Sequence, residues 1–326
     1  MEKTYPTVSQ TYLPLPQRRD YGVDEVFGLN SRMSVPGYEP GHPHVPNAEP
    51  YIWSDSLARD CIEWLLDPHA DPLWISGPAG CGKSACLKSL FSALNVPTVI
   101  VSAKADTEPD DILGRTQLVD GSTRFIPGPL LRAYALGYAI LFDEIDAFNP
   151  ETLMACHRLL ERETVTLQDG RQIVPSPLVR LAATANTRGD GQGQDLYTGT
   201  RVVNGATLNR FEKWHMHYPD PDLEREILLK QLPGFDATVA TAMVRTAEDI
   251  RKAYEQGHCP MPISLRDLMR WGKRLITGGR RSDVQPVYHG FDKAFGFGVE
   301  PCVRRMLHKC IETHFAIAAP ELDSAA

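Results

Sequence analysis

The chain has 326 residues, with 34 basic side chains against 41 acidic ones and a net charge of −7. That is room for one large or two modest domains, and the wrong sign for a general nucleic-acid binder. Its seven cysteines contain no C-x-x-C pair and read as reduced thiols. No apolar run reaches the roughly 20 residues that span a bilayer, and Met1-Glu2-Lys3-Thr4-Tyr5-Pro6 lacks the apolar stretch of a secretory signal, so a cytoplasmic protein without membrane contacts is expected.

Residues 1 to about 50 are rich in proline and poor in helical periodicity, which leaves a Pro-rich linker and a small irregular module both open. His42 and His44 have no third ligand nearby and read as surface-loop residues, since a metal site needs three or four ligands. A helix is predicted from Ser54 to Leu66, with Leu57, Cys61, Ile62, Leu65 and Leu66 on its apolar side. Leu73-Trp74-Ile75-Ser76 reads as a short buried strand. Gly77-Pro78-Ala79-Gly80-Cys81-Gly82-Lys83-Ser84 follows, a full match to G-x-x-x-x-G-K-[ST]. A helix to Leu94 then carries Leu87, Leu90, Phe91 and Leu94 on one face. A coincidental glycine-rich turn would not need this strand–loop–helix setting. Backbone N–H groups at the helix start, with the positive end of its dipole, can wrap a polyphosphate. Lys83 would reach the terminal phosphates, and the Ser84 hydroxyl would ligate magnesium.

Thr98 to Ser102 is a continuous apolar run rather than an alternating one, a second strand of parallel-sheet character. Leu118 to Phe125 turns on Asp120-Gly121, a hairpin signal, and Gly128 to Gly137 reads as a short helix. Ala139-Ile140-Leu141-Phe142 is a buried strand that ends in Asp143-Glu144. Those acids suit a Walker B role, Asp143 in the magnesium shell and Glu144 orienting the attacking water. Asn149-Pro150 starts a helix predicted to end near Arg162, and a second hairpin over Val165 to Val174 turns on Asp169-Gly170. Val179 to Asn186 is another strand. Leu208 to Phe211 closes a helical stretch before a strand over Trp214 to Tyr218, whose His215 and His217 read as a partly buried face rather than a zinc pair.

After Asp220-Pro221 the pattern turns helical, with Leu223, Ile227 and Leu228 and then Val239, Met243, Ala247 and Ile250 at helical spacing. Another helix begins at Ser264, residues 277 to 298 look loop-rich, and a last helix covers about Pro301 to Ile317. The expected division is a Pro-rich segment over 1–50, an α/β nucleotide-binding domain over 51–219, and a helical lid with a tail over 220–326.

The ordered set of phosphate loop, Asp143-Glu144, Asn186, Arg210 and Arg266 resembles an AAA+ ATPase. The two Asp-Gly hairpins resemble the inserts of the MoxR branch. Within that branch the wording is closest to CobS-type subunits of aerobic cobaltochelatase: Phe27-Gly28 with Met33-Ser34-Val35-Pro36, His44-Val45-Pro46, Phe142 to Ala147, and Ala183-Thr184-Ala185-Asn186-Thr187 continuing into Leu196-Tyr197-Thr198-Gly199-Thr200, Asn204 and Arg210. The resemblance covers residues 21 to about 270, leaving the tail unmatched. It implies a five-stranded parallel sheet of order 5-1-4-3-2 with a helical lid, and ATP with Mg2+ as cofactors. It makes Asn186 a sensor for the attacking water, Arg210 a finger to the neighbouring subunit's nucleotide, and Arg266 a second sensor on the lid. It also implies a hexameric ring, a partner bearing a von Willebrand A domain, and a large chelatase subunit. A CbbQ/NorQ-like activase is the alternative, and a nucleic-acid-linked NTPase is disfavoured by the charge.

Overall fold

The computed structural model describes residues 12–103, 107–119, 121–191, 196–278 and 285–320. The chain divides into two compact units, one of residues up to Ser76 and from Ser84 to His215, the other of Gly77–Lys83 and Met216 onward. In the first unit, β1 (Arg18–Gly22), α1 (Val23–Phe27) and β2 (Ser34–Tyr38) form a small antiparallel module. It is docked by the Tyr38 N–H on the Leu94 carbonyl at 3.0 Å, a contact so close that a Cβ on Gly37 would lie 2.3 Å from that oxygen. Of the two readings left open for this segment, the described part is the module. His42 is not a surface-loop residue: it is buried and meets the Tyr138 hydroxyl at 2.9 Å, and burial lowers the pKa of both His42 and His44.

Helix α2 (Asp55–Leu66) buries Ala58, Cys61, Ile62, Trp64 and Leu65, while Leu66, expected on its apolar side, is exposed. There follow β3 (Leu73–Ser76), α3 (Lys83–Ala93), β4 (Thr98–Ser102), α4 (Pro109–Leu113), the hairpin of β5 (Gly114–Val119) and β6 (Ser122–Pro127), α5 (Pro129–Leu136) and β7 (Ala139–Asp143). The Asp120 position of that hairpin's turn lies outside the described residues. The helix expected over Asn149 to Arg162 is broken at Cys156 into α6 (Pro150–Ala155) and α7 (His157–Leu160). Two-residue strands β8 (Val165–Thr166) and β9 (Gln172–Ile173) make the second hairpin, and β10 (Arg180–Ala185), α8 (Gly205–Leu208) and β11 (Glu212–His215) complete the unit.

The five strands run in the order β11-β3-β10-β7-β4, every pair parallel. Numbered among themselves, that is the expected 5-1-4-3-2. Leu-Trp-Ile, Ala-Ile-Leu-Phe and Leu-Ala-Ala-Thr-Ala are buried without interruption, as a parallel sheet covered by helices on both faces requires. Trp74, Tyr134, Tyr138, Ile140, Phe142, Leu159 and Leu181 belong to the core on one side of it. The register sets Ser76 beside Ala185 and beside His215, and Asp143 beside Ser102, so the carboxyl ends of the strands share one edge, where open α/β sheets carry ligands.

The second unit is helical: α9 (Pro221–Gln231), α10 (Ala237–Glu255), α11 (Leu265–Gly278), α12 (Pro286–Ala294) and α13 (Pro301–Phe315). Asp220 and Asp236 cap α9 and α10 by accepting from Leu223 N–H and from Thr238 and Val239 N–H. Trp271, Met243, Ile250, Phe291, Leu307 and Ile311 form its core. The stretch 277–298 is not all loop, because α12 packs on α11 and the Trp271 indole donates to the Val287 carbonyl at 3.0 Å. Residues 279–284 and 321–326 lie outside the described residues, as do residues 1–11 with the Met1 to Pro6 reading.

Candidate functional site

Between β3 and α3 the chain has to turn sharply while presenting its backbone inward, and the glycines make that turn. Gly77, Gly80 and Gly82 have φ of 152°, 74° and 107°. A Cβ at Gly77 would lie 2.2 Å from the Met216 carbonyl oxygen, and one at Gly80 would lie 2.7 Å from the Ser264 side chain. Crowding and backbone freedom together reserve Gly77 and Gly80 for glycine, and backbone freedom reserves Gly82. Lys83 is 7% exposed, and its Nζ donates to the Gly77 and Pro78 carbonyls at 2.8 and 2.9 Å. The Tyr218 hydroxyl donates to the Ala79 carbonyl at 3.1 Å. Cys81 is buried in the loop, and burial pushes its thiol pKa up, as for a packed rather than reactive thiol. Arg266 is exposed, its Cβ 3.5 Å from where a Cβ on Gly80 would stand.

In the first unit Ser84, second residue of α3, donates its hydroxyl to Asp143 Oδ1 at 2.5 Å. Thr184, on the neighbouring strand β10, donates to the same oxygen at 2.7 Å, and Lys88 Nζ stands 3.4 Å from Oδ2. Burial alone would raise the Asp143 pKa, but the Ser84 and Thr184 hydrogen bonds and the Lys88 charge outweigh it and hold the carboxyl below its ordinary range. A hydroxyl and an ionised carboxylate in contact are hard oxygen donors of the kind Mg2+ takes. Among the described residues no group of three or more His, Cys, Asp or Glu side chains could hold a metal ion.

Glu144 follows on the exposed side of the strand end with φ 58° and ψ 50°. A left-handed glutamate costs backbone energy and points to a positional demand. Its N–H is held by Thr184 Oγ1 at 3.2 Å. Asn186, half-buried, is the first residue past β10, and its backbone N–H donates to Asp146 Oδ2 at 3.0 Å. Arg210 precedes β11, paired with Glu161 at 2.6 Å. The structure thus gathers Ser84, Asp143, Glu144 and Asn186 along one sheet edge and keeps Arg210 on a glutamate contact. Sequence reasoning missed Thr184, Lys88 and Asp146. Thr184 could have been found from the register of β10 beside β7, whereas nothing local marks the other two. The strand expected over Trp214 to Tyr218 ends at His215, so His215 and His217 share no strand face, and both are exposed.

Comparison with known proteins bears on both units. Residues 72–202 match the family model described as AAA domain (dynein-related subfamily), and residues 222–318 match the one described as Midasin AAA lid domain. The chain is 31% identical to the aerobic cobaltochelatase subunit CobS of Sinorhizobium sp over 315 residues, 93% of this chain and 89% of that protein. It is 30% identical to protein CbbQ of Hydrogenophilus thermoluteolus over 241 residues, 72% of this chain and 85% of that one. The lid match runs on to residue 318, so the tail expected to be unmatched beyond about 275 is largely part of the similarity.

Proposed function

This chain belongs to the AAA+ ATPases, in their MoxR branch, and from that premise we propose that it is an ATP-hydrolysing ring subunit that remodels a partner for metal insertion. The glycine loop and Lys83 bind the phosphates. Ser84 and Asp143 would hold Mg2+, which would supply positive charge to offset that of the phosphates. Glu144 orients the attacking water, Asn186 contacts it, and Arg210 reaches the nucleotide of an adjacent subunit while Arg266 acts from the lid. One observation carries the reading: Ser84 and Thr184 hydroxyls converge on Asp143 Oδ1 at the strand end where Glu144 is held left-handed.

The likeness to a cobaltochelatase subunit over nearly the whole chain supports metal insertion, with cobalt as the cargo and with a von Willebrand A domain protein and a large chelatase subunit as partners. The likeness to CbbQ favours a second reading, an activase for another client. The ATPase is tested by two variants. Lys83→Ala should abolish ATP binding in calorimetric titration, since it removes the cation from the cradle. Glu144→Gln should bind ATP and lose turnover; more than about a tenth of normal activity, a barrier change of only ~1.4 kcal/mol, overturns the role of Glu144. ATPase activity that rises on adding both chelatase partners supports cobalt insertion. Indifference to both overturns it and leaves the activase.

A further inference from the structure

The turn after Glu144 carries a carboxylate that neither the phosphate loop nor the magnesium ligands use. Asp146 lies in the 3-10 turn Ile145–Ala147 and is 0% exposed. Its Oδ2 accepts from the Asn186 N–H at 3.0 Å, the Thr187 N–H at 2.8 Å and the Thr187 hydroxyl at 2.8 Å. Its own carbonyl accepts from the Arg201 N–H at 2.7 Å. The Thr187 hydroxyl accepts in turn from Gly189 N–H at 3.2 Å, and the Gly189 carbonyl takes Val203 N–H at 2.9 Å. The Asp146 carboxylate therefore joins the turn after β7 to the end of β10, while its backbone carbonyl ties in the segment at Arg201.

Its other oxygen, Oδ1, is buried with no hydrogen-bond partner among the described residues, and none of the groups on Oδ2 is a cation. A buried acceptor without a partner costs stability that an apolar residue would not. Folding alone does not account for it. What the three bonds achieve is to fix the Asn186 backbone against a turn that begins with Glu144.

We propose that Asp146 is a positioning residue for hydrolysis: it holds the Glu144 turn and the Asn186 segment in one register, so that both side chains address the same water. The proposal rests on the roles given above to Glu144 and Asn186. Asp146 touches neither the substrate nor the water in this scheme. It acts through its neighbours.

An asparagine at this position keeps an acceptor oxygen where Oδ2 stands and can take the same three bonds, whereas alanine can take none. On the full-length chain, Asp146→Ala should lower kcat on the order of 100-fold, the penalty of a misplaced reacting group, with ATP affinity within about threefold of normal. Asp146→Asn should recover kcat to within about fivefold of the parent, since one neutral acceptor replaces a charged one. If Asp146→Ala does not fold, Thr187→Val removes one of the three bonds, together with the Gly189 N–H contact, and should cost about tenfold in kcat at unchanged affinity. Added to Glu144→Gln, Asp146→Ala should cause little further loss, because the water is already without its orienting acid.

A folded Asp146→Ala, or a Thr187→Val, that keeps full kcat while Glu144→Gln has none overturns the positioning role and leaves Glu144 in place. An active Glu144→Gln overturns the underlying assignment instead. Equal losses in the Asn and Ala variants, with weakened ATP binding and lowered Tm, mark Asp146 as purely structural and also overturn the proposal.

Discussion

Two arginine–glutamate pairs of nearly equal length sit in the two units, and they are built differently. In the helical unit Arg251 donates to both oxygens of Glu224 at 2.7 and 2.9 Å and to the Ile263 carbonyl at 3.0 Å, with its guanidinium 4.1 Å above the Tyr218 ring. The side chains are 14% and 0% exposed. In the α/β unit Arg210 meets one oxygen of Glu161 at 2.6 Å and the Ala206 carbonyl at 2.6 Å, at 23% and 40% exposure. Its Nε is buried with no partner among the described residues. Arg251 has every donor group engaged and belongs to the fold. Arg210 keeps a donor in reserve on a half-exposed acid, the condition of a side chain that can leave. Planar guanidinium donors suit either task, so the surroundings distinguish the two.

The sharpest break in this comparison is expected from Arg210→Ala. If Arg210 reaches an adjacent subunit, the variant binds ATP almost normally and loses turnover by roughly 10³-fold or more. Its stability should change by less than ~1 kcal/mol, the value of a partly exposed pair. Mixed with Glu144→Gln after subunit exchange, it should regain some activity, because one interface then carries both intact residues. Specific activity independent of protein concentration, in a protein that sediments as a monomer with ATP, would overturn action between subunits.

The opposite pattern is expected from Glu224→Leu. Leaving Arg251 buried without its carboxylate should cost about 3 kcal/mol of unfolding free energy by denaturant titration. Glu224→Leu with Arg251→Met should recover most of it, since an apolar pair needs no desolvation. Burial raises the Glu224 pKa above its usual 4.5, with the Arg251 bonds and charge opposing and Glu248 and Asp220 adding to the rise. The folded state thus holds the proton more tightly than the unfolded one. This group's contribution to stability therefore falls as pH rises from 4.5 through the raised value, and Glu224→Leu should remove that slope. A Glu224→Leu chain as stable as the parent would place Arg251 among the dispensable contacts.

The individual strands, the two hairpins and the phosphate loop were legible because each is written locally: apolar runs of strand length, Asp-Gly turns, glycines at fixed offsets. The order of the strands in the sheet is not local and came only with the resemblance to AAA+ ATPases. What escaped is set by packing. Helix α12 contains Gly290 and three β-branched or aromatic residues, poor formers whose helix is secured by burial of Tyr288 and Phe291 and by a glycine against which Trp271 packs closely. Asp146 reads in sequence as one more acid after Asp143-Glu144, and only the fold shows it fully buried on the Asn186 and Thr187 amides. His42 lies among prolines and looks exposed, yet it is enclosed by Tyr138, a partner 96 residues away.

The smallest expected effect is the most direct probe of Arg210 at rest. Glu161→Gln keeps the shape of the contact and removes its charge. A pair this exposed is worth at most about 1 kcal/mol, so if Arg210 must leave Glu161 to act, turnover should rise by no more than about fivefold. His157 reports whether the change stayed local. Its Nε2 lies 2.7 Å from Thr207 Oγ1, and its pKa is lowered by burial and by the Arg210 charge while Glu161 opposes both. With Glu161 neutral and Arg210 still in place, the His157 titration followed by NMR should move further down. If Arg210 has swung away instead, its repulsion is lost as well and that downward shift shrinks. Turnover that falls tenfold or more, with His157 shifted down, would mean that Glu161 aims the arginine rather than detaining it, and the contrast between the two pairs would then be one of exposure alone.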